Sequence, residues 1–358
     1  MRDADNHPVR FHVGFPSPSI ATLPMAQWPA LAQQCEDLGV DTLWHSNERF
    51  YRQMWIRMTV SAMVTERLRI GGAVVEPYAE HPALIAQALA TLAELSHGRA
   101  EVALGAGGSG FPMMGVRRSR TAVAITEALR IIGPMLRGES VTLDGEVVSA
   151  YAARLHLPPA TGTSLWVATR GERTLEMAAG LADGLIIATY AVEDDVKRVV
   201  GIVERGASAA GRRLSDLRLM SRVDTCVHDD PAIAVEGCRA MVAKLLWASY
   251  PDRRFVEQAE LAVPPDLEAV IATRDYDALE NVTHLVPDEF VDRFCWAGTP
   301  AQVAARVASV VTATPVREVG FWILAAPGQA LSEAVAKVAT EVVPRIGQAL
   351  RASTQGVT

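Results

Sequence analysis

This 358-residue sequence lacks the usual signs of a metal, membrane or secreted protein. It has only four cysteines, Cys35, Cys226, Cys238 and Cys295, and no two of them form a C-x-x-C pair. Neither a zinc site nor a disulfide framework is therefore indicated. The first residues contain no apolar segment, and no later stretch approaches the roughly 18 consecutive apolar residues of a membrane span. We expect a cytoplasmic protein with reduced, buried cysteines and no bound metal.

The charge pattern narrows the choice of partners. The chain has 34 basic and 41 acidic side chains, a formal net charge of -7, and no long basic cluster. This pattern argues against nucleic acid and against an anionic membrane as partners. Hydrophobic side chains make up 49% of the sequence, enough for a large core. A globular protein acting on small molecules is the expectation that remains.

The segment from residue 67 to residue 110 contains a complete βαβ unit. Leu68 to Val75 is an apolar run that predicts a buried parallel strand. Pro82 suits a first helical turn, and Ala83 to Leu95 has apolar residues at helical spacing. Gly98 predicts a left-handed helix cap, and Glu101 to Leu104 opens the next strand. Strand, helix and parallel strand place the following loop at the carboxyl edge of a sheet.

That loop has the spacing GxGxxG between Gly105 and Gly110. The dinucleotide fingerprint requires these glycines to open a helix directly, with an acidic residue about 20 positions later. Here Phe111 and Pro112 follow instead, and helical spacing resumes only near Thr121. We therefore interpret the loop as one that allows close backbone approach to a flat ligand, with a simple tight turn as the alternative.

The same alternation extends along the whole chain and predicts a (β/α)8 TIM barrel, an α/β fold. We expect one domain over residues 1–358, with insertions at about 138–160 and 249–292. Asp144-Gly145 lies between alternating segments of the first insertion and predicts a hairpin there. The eight predicted strands are Phe11–Phe15, Asp41–Ser46, Leu68–Val75, Glu101–Leu104, Ser164–Thr169, Leu185–Ala188, Leu217–Val227 and Glu318–Leu324.

Polar residues follow two of these strands. Asn47 to Arg52 come directly after the second strand and are interpreted as ligand-facing, with a solvated helix start as the alternative. Arg170 to Thr174 follow the strand Ser164–Thr169 and open a helix. Arginines at a helix N-terminus are typical of a phosphate site, because free amides and the helix dipole add to the guanidinium charge. The alternative is that these arginines pair with Glu172 or Glu176.

Four segments carry a resemblance to a known superfamily: GGAVVEPYAEHPALIAQALATLAELSHGRAEVALGAGGSG, GFPMMGVRRSRTAVAITEALRIIGPMLRGE, LWVATRGERTLEMAAGLADGLII and FCWAGTPAQVAARV. In this order they resemble the luciferase-like flavin and deazaflavin oxidoreductases, most closely the branch related to methylenetetrahydromethanopterin reductase. The resemblance implies a TIM barrel that binds coenzyme F420, or alternatively FMN, and transfers a hydride. It also implies a cis peptide bond between Ala73 and Val74, in a bulged strand that backs the cofactor ring. Cofactor-binding residues carried over from the superfamily are Asn47, Ala73, Val74, Glu76, Ala106, Gly107, Arg170, Gly171, Arg173 and Thr174.

The chain also departs from part of that superfamily. Its sugar-phosphate dehydrogenases have a histidine where this chain has Glu48 and a glutamate where it has Gly108. We therefore do not expect a glucose-6-phosphate-type activity. Glu48 is the one acid we offer as a general acid/base, with helix capping or pairing to a nearby arginine as the alternative. His45 and His81 are interpreted as structural.

Three functions remain open from the sequence. The first is an F420-dependent oxidoreductase acting on a small organic substrate, and the second is an FMN-dependent monooxygenase. The third is a non-catalytic relative that binds flavin or has lost it, although the retained glycine loop and arginines argue against loss. We also expect a homodimer, because relatives pair through helices flanking the second and third strands. Here the helix Ala83–Leu95 is apolar on more than one face.

Overall fold

The computed structural model describes residues 9–107 and 110–355. The strands are β1 Arg10–Gly14, β2 Thr42–Ser46, β3 Arg69–Val75, β4 Ala100–Leu104, β5 Val141–Leu143, β6 Ala150–Ala153, β7 Ser164–Thr169, β8 Gly184–Ala188, β9 Arg218–Val227, β10 Cys295–Gly298 and β11 Glu318–Leu324. The α-helices are α1 Ser17–Thr22, α2 Trp28–Asp37, α3 Met54–Val64, α4 Pro82–Leu95, α5 Thr121–Leu136, α6 Glu172–Ala179, α7 Glu193–Ala209, α8 Pro231–Ser249, α9 Arg254–Glu257, α10 Pro265–Ala272, α11 Asp288–Phe294, α12 Pro300–Ala313, α13 Leu331–Lys337 and α14 Val343–Gln355.

Eight parallel strands close into a barrel, as the sequence predicts. Their order is β1, β2, β3, β4, β7, β8, β9 and β11, and β11 pairs again with β1. Helices lie between successive strands, so the architecture is the predicted (β/α)8 TIM barrel. The short strand β10 pairs with the far end of β9 and is an addition to the barrel that the sequence did not reveal.

The interior of the barrel is filled by side chains from six of its eight strands. They form one buried cluster, Trp44, Ala103, Trp166, Ile186, Met220 and Trp322. Trp44 and Trp166 meet edge to face with ring centroids 5.8 Å apart. Because these rings occupy the middle of the barrel, a ligand has room only at its two ends.

Helix α4 has the bounds that the apolar periodicity predicts, but two of its leucines are exposed. It begins at Pro82 and ends at Leu95, as predicted, and Gly98 has the expected positive φ of 80°. The buried face consists of Ile85, Ala86, Leu89, Ala90, Leu92 and Ala93. Leu84 and Leu95, which we expected in the same apolar row, are 55% and 44% exposed. The apolar surface of this helix therefore extends beyond what its own chain covers.

The two insertions differ in character. The first is an antiparallel hairpin, β5 with β6, as predicted, and its second strand begins at Ala150, five residues after Gly145. The second contains α9, α10 and α11 and packs on α8 and β10 around a hydrophobic cluster of its own. Three of the four cysteines, Cys226, Cys238 and Cys295, lie in that cluster, and all four are free and buried. Within the described residues, every helix is too short or too polar to cross a bilayer.

Candidate active site

A cavity of about 1000 Å³ opens at the carboxyl end of the barrel. Loops that follow β1, β2, β4, β7 and β8 line it, together with residues of β3, β9, β11, α8 and the second insertion. Glu48, Asn47, Ala73, Val74, Ala106, Gly107, Arg170 and Gly171 are among the lining residues. The fold therefore brings together eight of the predicted site residues, from four separate strand ends.

One wall of the cavity is the bulged end of β3. The peptide bond between Ala73 and Val74 is cis, which confirms the prediction, and the register against β4 shifts between Ala73 and Val75. Asn47 holds this bulge through two hydrogen bonds, from its backbone N–H to Ala73 O at 3.0 Å and from Nδ2 to Val74 O at 3.2 Å. A Cβ at Gly105 would lie 2.9 Å from Val74 Cγ1, so only glycine lets the next loop pass.

The glycine loop after β4 forms the adjoining wall. Gly107 has a φ of 72°, and a Cβ there would lie 2.7 Å from the ring of Phe111. Phe111 is buried, and Arg118 donates to the carbonyl oxygen of Gly107 at 3.0 Å. Gly108 and Ser109 lie outside the described residues. Ala106 and Gly107 thus present backbone to the cavity, as a flat ligand requires.

The N-terminus of α6 follows β7, the strand that pairs with β4, and so lies beside the glycine loop. Gly171 precedes the first helical residue, and no side chain caps the helix. The first amides of a helix have no acceptor within it, so these donors are available to an anion. Thr174 is buried beneath this turn, whereas Arg173 is exposed and does not line the cavity.

Arg170 directly precedes that helix start and lines the cavity. Its Nη2 donates to Ser249 Oγ at 2.9 Å, and its guanidinium lies 4.8 Å from the ring centroid of Phe255. Its Nη1 is buried and has no hydrogen-bond partner among the described residues. Burial lowers the pKa of Arg170. Glu172 and Glu176 pair with Arg198 and Arg205 instead, so the alternative salt bridges to Arg170 and Arg173 do not form.

Glu76 has a different setting from the other predicted site residues. Its carboxylate binds Arg49 and accepts from the N–H groups of Tyr78 at 2.7 Å and Ala79 at 3.1 Å. Its side chain is 3% exposed, and the residue does not line the cavity. This placement favours a role in holding the loops after β2 and β3 together.

Glu48 meets a partner that the sequence did not suggest. Lys244 on α8 places its ammonium 3.5 Å from Glu48 Oε1 and also donates to Ser17 Oγ. The side chains of Lys244 and Glu48 are 14% and 22% exposed. Ser17, Glu48 and Lys244 all line the cavity although they are far apart in the chain. Neither predicted alternative for Glu48, helix capping or pairing with Arg49 or Arg52, is what the structure shows.

Strand β9 contributes a second charged pair to the cavity. Arg222 donates to Asp224 at 3.0 and 3.2 Å, and its guanidinium lies 4.6 Å from the ring centroid of Trp322. Sequence reasoning missed this pair because it looked for polar residues after strands, and these residues lie within one. Alternation along β9 points both side chains to the same face, a signal that could have revealed them.

The two histidines that were predicted to be structural lie outside the chemistry of this cavity. His45 hydrogen-bonds to Gly71 O and Ser61 Oγ, both at 2.9 Å, and burial with nearby Arg57 lowers its pKa to about 3. His81 accepts from Ala83 N–H at 3.1 Å at the start of α4. Both placements confirm the prediction.

Comparison with known proteins agrees with this geometry. The sequence profile of the luciferase-like monooxygenase family matches residues 10–317. The chain belongs to the luciferase-like monooxygenase family. Two similar relatives are a 5,10-methylenetetrahydromethanopterin reductase from Methanolobus tindarius and an F420-dependent glucose-6-phosphate dehydrogenase from Kineococcus radiotolerans. The first is 28% identical over 81% of this chain and 87% of that protein, and the second is 27% identical over 87% and 90%.

Among solved structures, the luciferase-like fold of this chain is similar to that of the coenzyme F420-dependent tetrahydromethanopterin reductase from Methanopyrus kandleri. The TM-score is 0.81 with 23% sequence identity, over 94% of this chain and 99% of that one. At this level of identity the two proteins share the barrel, and the chemistry of this chain depends on its own residues.

Proposed function

We propose that this luciferase-like protein is an F420-dependent oxidoreductase that transfers a hydride between the deazaflavin and a small organic substrate. The names of its relatives support this cofactor. The observation that carries the proposal is the cavity itself, which runs from the Ala73–Val74 bulge to the buried, unpartnered Nη1 of Arg170. A cofactor with a flat ring joined to a phosphate by a short chain requires both features, a wall for the ring and a cation for the phosphate.

The residues present fit such a cofactor. Ala73, Val74, Ala106 and Gly107 would hold the ring between an apolar bulge and a backbone surface, with Asn47 fixing the bulge. Arg170, Gly171 and the first amides of α6 would hold the phosphate, with Thr174 supporting that turn. When bound, the deazaflavin supplies the hydride chemistry, and the protein supplies placement and electrostatics.

We assign proton transfer to the substrate to the ion pair between Glu48 and Lys244. Adding a hydride to a polar double bond leaves a heteroatom that takes up a proton, and a positioned side chain accelerates that step. Lys244 has three N–H donors, and Ser17 and Glu48 engage two of them. We propose that the third donates to the substrate and that Glu48 exchanges the proton.

A cofactor titration tests the proposed function. The purified protein is titrated separately with F420 and with FMN, and binding is followed by the fluorescence of each ligand. We expect F420 to bind more tightly than FMN, because Arg170 and α6 are joined by further basic residues at the cavity mouth. Tight binding of FMN without F420 would favour the monooxygenase, and binding of neither would favour the non-catalytic alternative.

We also propose that the protein is a homodimer through α3 and α4, which flank β2 and β3. Ile56, Met63, Leu84 and Leu95 on the outer faces of these helices are between 44% and 71% exposed. Helices α3 and α4 are in contact, and exposed apolar side chains grouped on neighbouring helices are typical of an interface.

A charge placed on this surface tests the dimer. The double variant Met63→Glu/Leu84→Glu should sediment as a monomer, whereas Leu181→Glu, an exposed leucine elsewhere, should not change the state. A wild-type monomer at micromolar concentration would refute the proposal.

A further inference from the structure

The cavity is basic although the protein is acidic. Its lining includes seven cationic side chains, Arg117, Arg118, Arg170, Arg222, Lys244, Arg254 and Arg274, and four carboxylates, Glu48, Glu172, Asp224 and Asp252. Each of those carboxylates pairs with a cation, respectively Lys244, Arg198, Arg222 and Arg254. Four arginines, Arg117, Arg118, Arg170 and Arg274, therefore form no salt bridge in the part of the chain that the structure describes.

Two of these arginines have a local role. Arg170 belongs to the phosphate end, and Arg274 lies 4.1 Å from the ring centroid of Trp247 and donates to the carbonyl oxygen of that residue. Arg117 and Arg118 are consecutive, exposed, and lie on the loop between the glycine turn and α5. Arg118 is positioned by its bond to Gly107 O at 3.0 Å and by stacking 5.1 Å from the Phe111 ring centroid.

Another part of the cavity lining, Asp252, is less suited to an anion. Arg254 there donates to Asp252 Oδ1 at 2.9 Å. Its hydrogen bond lowers the pKa of Asp252 to about 2, so the carboxylate is charged at neutral pH. An anionic chain would be repelled by this carboxylate and attracted by Arg117 and Arg118, which also line the cavity.

F420 differs from FMN in the part of the molecule beyond the phosphate. FMN ends there, whereas F420 continues through a lactate into a chain of glutamates, each bearing a carboxylate. We propose that Arg117 and Arg118 bind this oligoglutamate tail, an inference that rests on the proposed function. A protein of net charge -7 repels a polyanion over most of its surface, so a local cationic patch is required to hold one. Guanidinium groups match carboxylates well in geometry.

The test is the affinity for deazaflavins that differ only in their tails. Wild-type protein is titrated by fluorescence with long-tailed F420, with F420 lacking glutamates, and with the phosphate-free deazaflavin riboside. At low salt we expect the long tail to improve affinity by about 5- to 20-fold, a gap that closes near 0.5 M salt because exposed charges are screened. In Arg117→Gln/Arg118→Gln the gap should fall below about twofold. Arg117→Gln alone, which leaves the bond from Arg118 to Gly107 O in place, should reduce the gap with binding of the tail-less F420 unchanged.

Two further variants separate a specific contact from general charge. Arg117→Lys/Arg118→Lys keeps both charges and should keep most of the gap. Arg205→Gln/Arg213→Gln removes two exposed charges far from the cavity and should leave the gap intact. Equal affinity of the wild type for long-tailed and tail-less F420, or a gap that survives in the Arg117→Gln/Arg118→Gln variant, would overturn the tail site and leave F420 dependence standing. Failure of all three deazaflavins to bind would overturn both.

Discussion

The two ends of the barrel use buried charge in opposite ways. At the amino end, Glu101 is bound by Arg69 at 3.3 Å and Arg218 at 3.1 Å, and Glu318 is bound by Arg218 at 2.7 Å and His12 at 3.0 Å. Each buried carboxylate there is held by two basic side chains of the protein itself. At the carboxyl end, Arg170 forms no salt bridge and has a buried Nη1 with no hydrogen-bond partner among the described residues. Arg69 Nε at the amino end also has no hydrogen-bond partner among those residues, but the Arg69 guanidinium is paired with Glu101.

This difference distinguishes buried charges that stabilise the fold from a buried charge that is available to bind a ligand. Removing one member of a buried ion pair is strongly destabilising, because the other charge stays buried without compensation. A cation that is already unpaired carries that cost in the free protein and is relieved only when an anion binds. The pattern agrees with TIM barrels generally, in which the amino end stabilises and the carboxyl end is functional.

The largest effect is expected from Glu101→Ala. It leaves Arg69 and Arg218 without their shared carboxylate and removes the acceptor for Thr42 Oγ1 and Trp166 Nε1. We expect a loss of about 3 to 5 kcal/mol in the free energy of unfolding, measured by urea denaturation.

The matched control for that variant is Glu139→Ala. Glu139 pairs with Arg137 at the surface, where both side chains are more than half exposed, so its removal should have little effect. Equal losses for the two variants would contradict the contrast between buried and exposed carboxylates.

The dependence of the free energy of unfolding on acid pH should reflect the same group of buried ion pairs at the amino end of the barrel. Burial opposes ionisation of Glu318, but its bonds to His12 and Arg218 outweigh this and lower its pKa to about 2. Because the folded pKa lies below that of an unfolded glutamate, the contribution is fully present above about pH 5 and is lost as the pH falls towards 2. The expected loss is about 3 kcal/mol. Glu318→Gln should flatten this part of the stability curve, and an unchanged acid slope would contradict the assignment.

At the carboxyl end of the barrel, Arg170→Gln should lower the affinity for F420 and should not lower the free energy of unfolding. The loss of a charge-assisted phosphate contact corresponds to about 1.5 to 3 kcal/mol of binding free energy. The free energy of unfolding should stay constant or rise, because a buried unpaired cation is removed. Arg173→Gln, at an exposed position, should weaken binding less. A destabilised Arg170→Gln protein with normal F420 affinity would place Arg170 with the structural charges instead.

The smallest expected effect is on catalysis, in the variant Lys244→Met. We expect kcat to fall roughly 10- to 100-fold with any hydride acceptor that the wild type reduces, because Glu48 remains as a partial substitute. F420 affinity should be unchanged, and Lys244→Arg should recover part of the rate and shift the pH profile. A variant with wild-type kcat would remove Lys244 from the proton path.

Local patterns were enough to predict most of the barrel. β7, β11 and α5 have the predicted bounds, and the eight strand positions follow from apolar runs separated by helical segments. β10 was missed because its four residues, CWAG, follow directly on α11. Leu84 and Leu95 lie on the exposed face of α4, and the sequence did not show this because periodicity identifies apolar rows without identifying which row meets the barrel.

The candidate site likewise contains residues that local patterns predicted and residues that they did not. Asn47, Gly107 and Arg170 each follow a strand, and parallel strands bring their carboxyl ends to one edge whatever their spacing in the chain. Lys244 was not foreseen, because its position on α8 acquires meaning only when Glu48, 196 residues away, is folded against it. The placement of Glu76 under a loop, instead of in the cavity, was equally invisible to local chemistry.

The sequence by itself determined the closed barrel, the family and the chemistry expected at the strand ends, because hydrophobic period, turn residues and helix-start signals act over a few residues. Only the tertiary structure decided which charges are paired. The partners of Glu101 come from residues 32 and 117 positions away, and Arg170 reaches Ser249 across 79 residues. Whether a buried charge stabilises the fold or awaits a ligand depends on what the closed barrel brings within about 3 Å of it, and no local pattern encodes that distance.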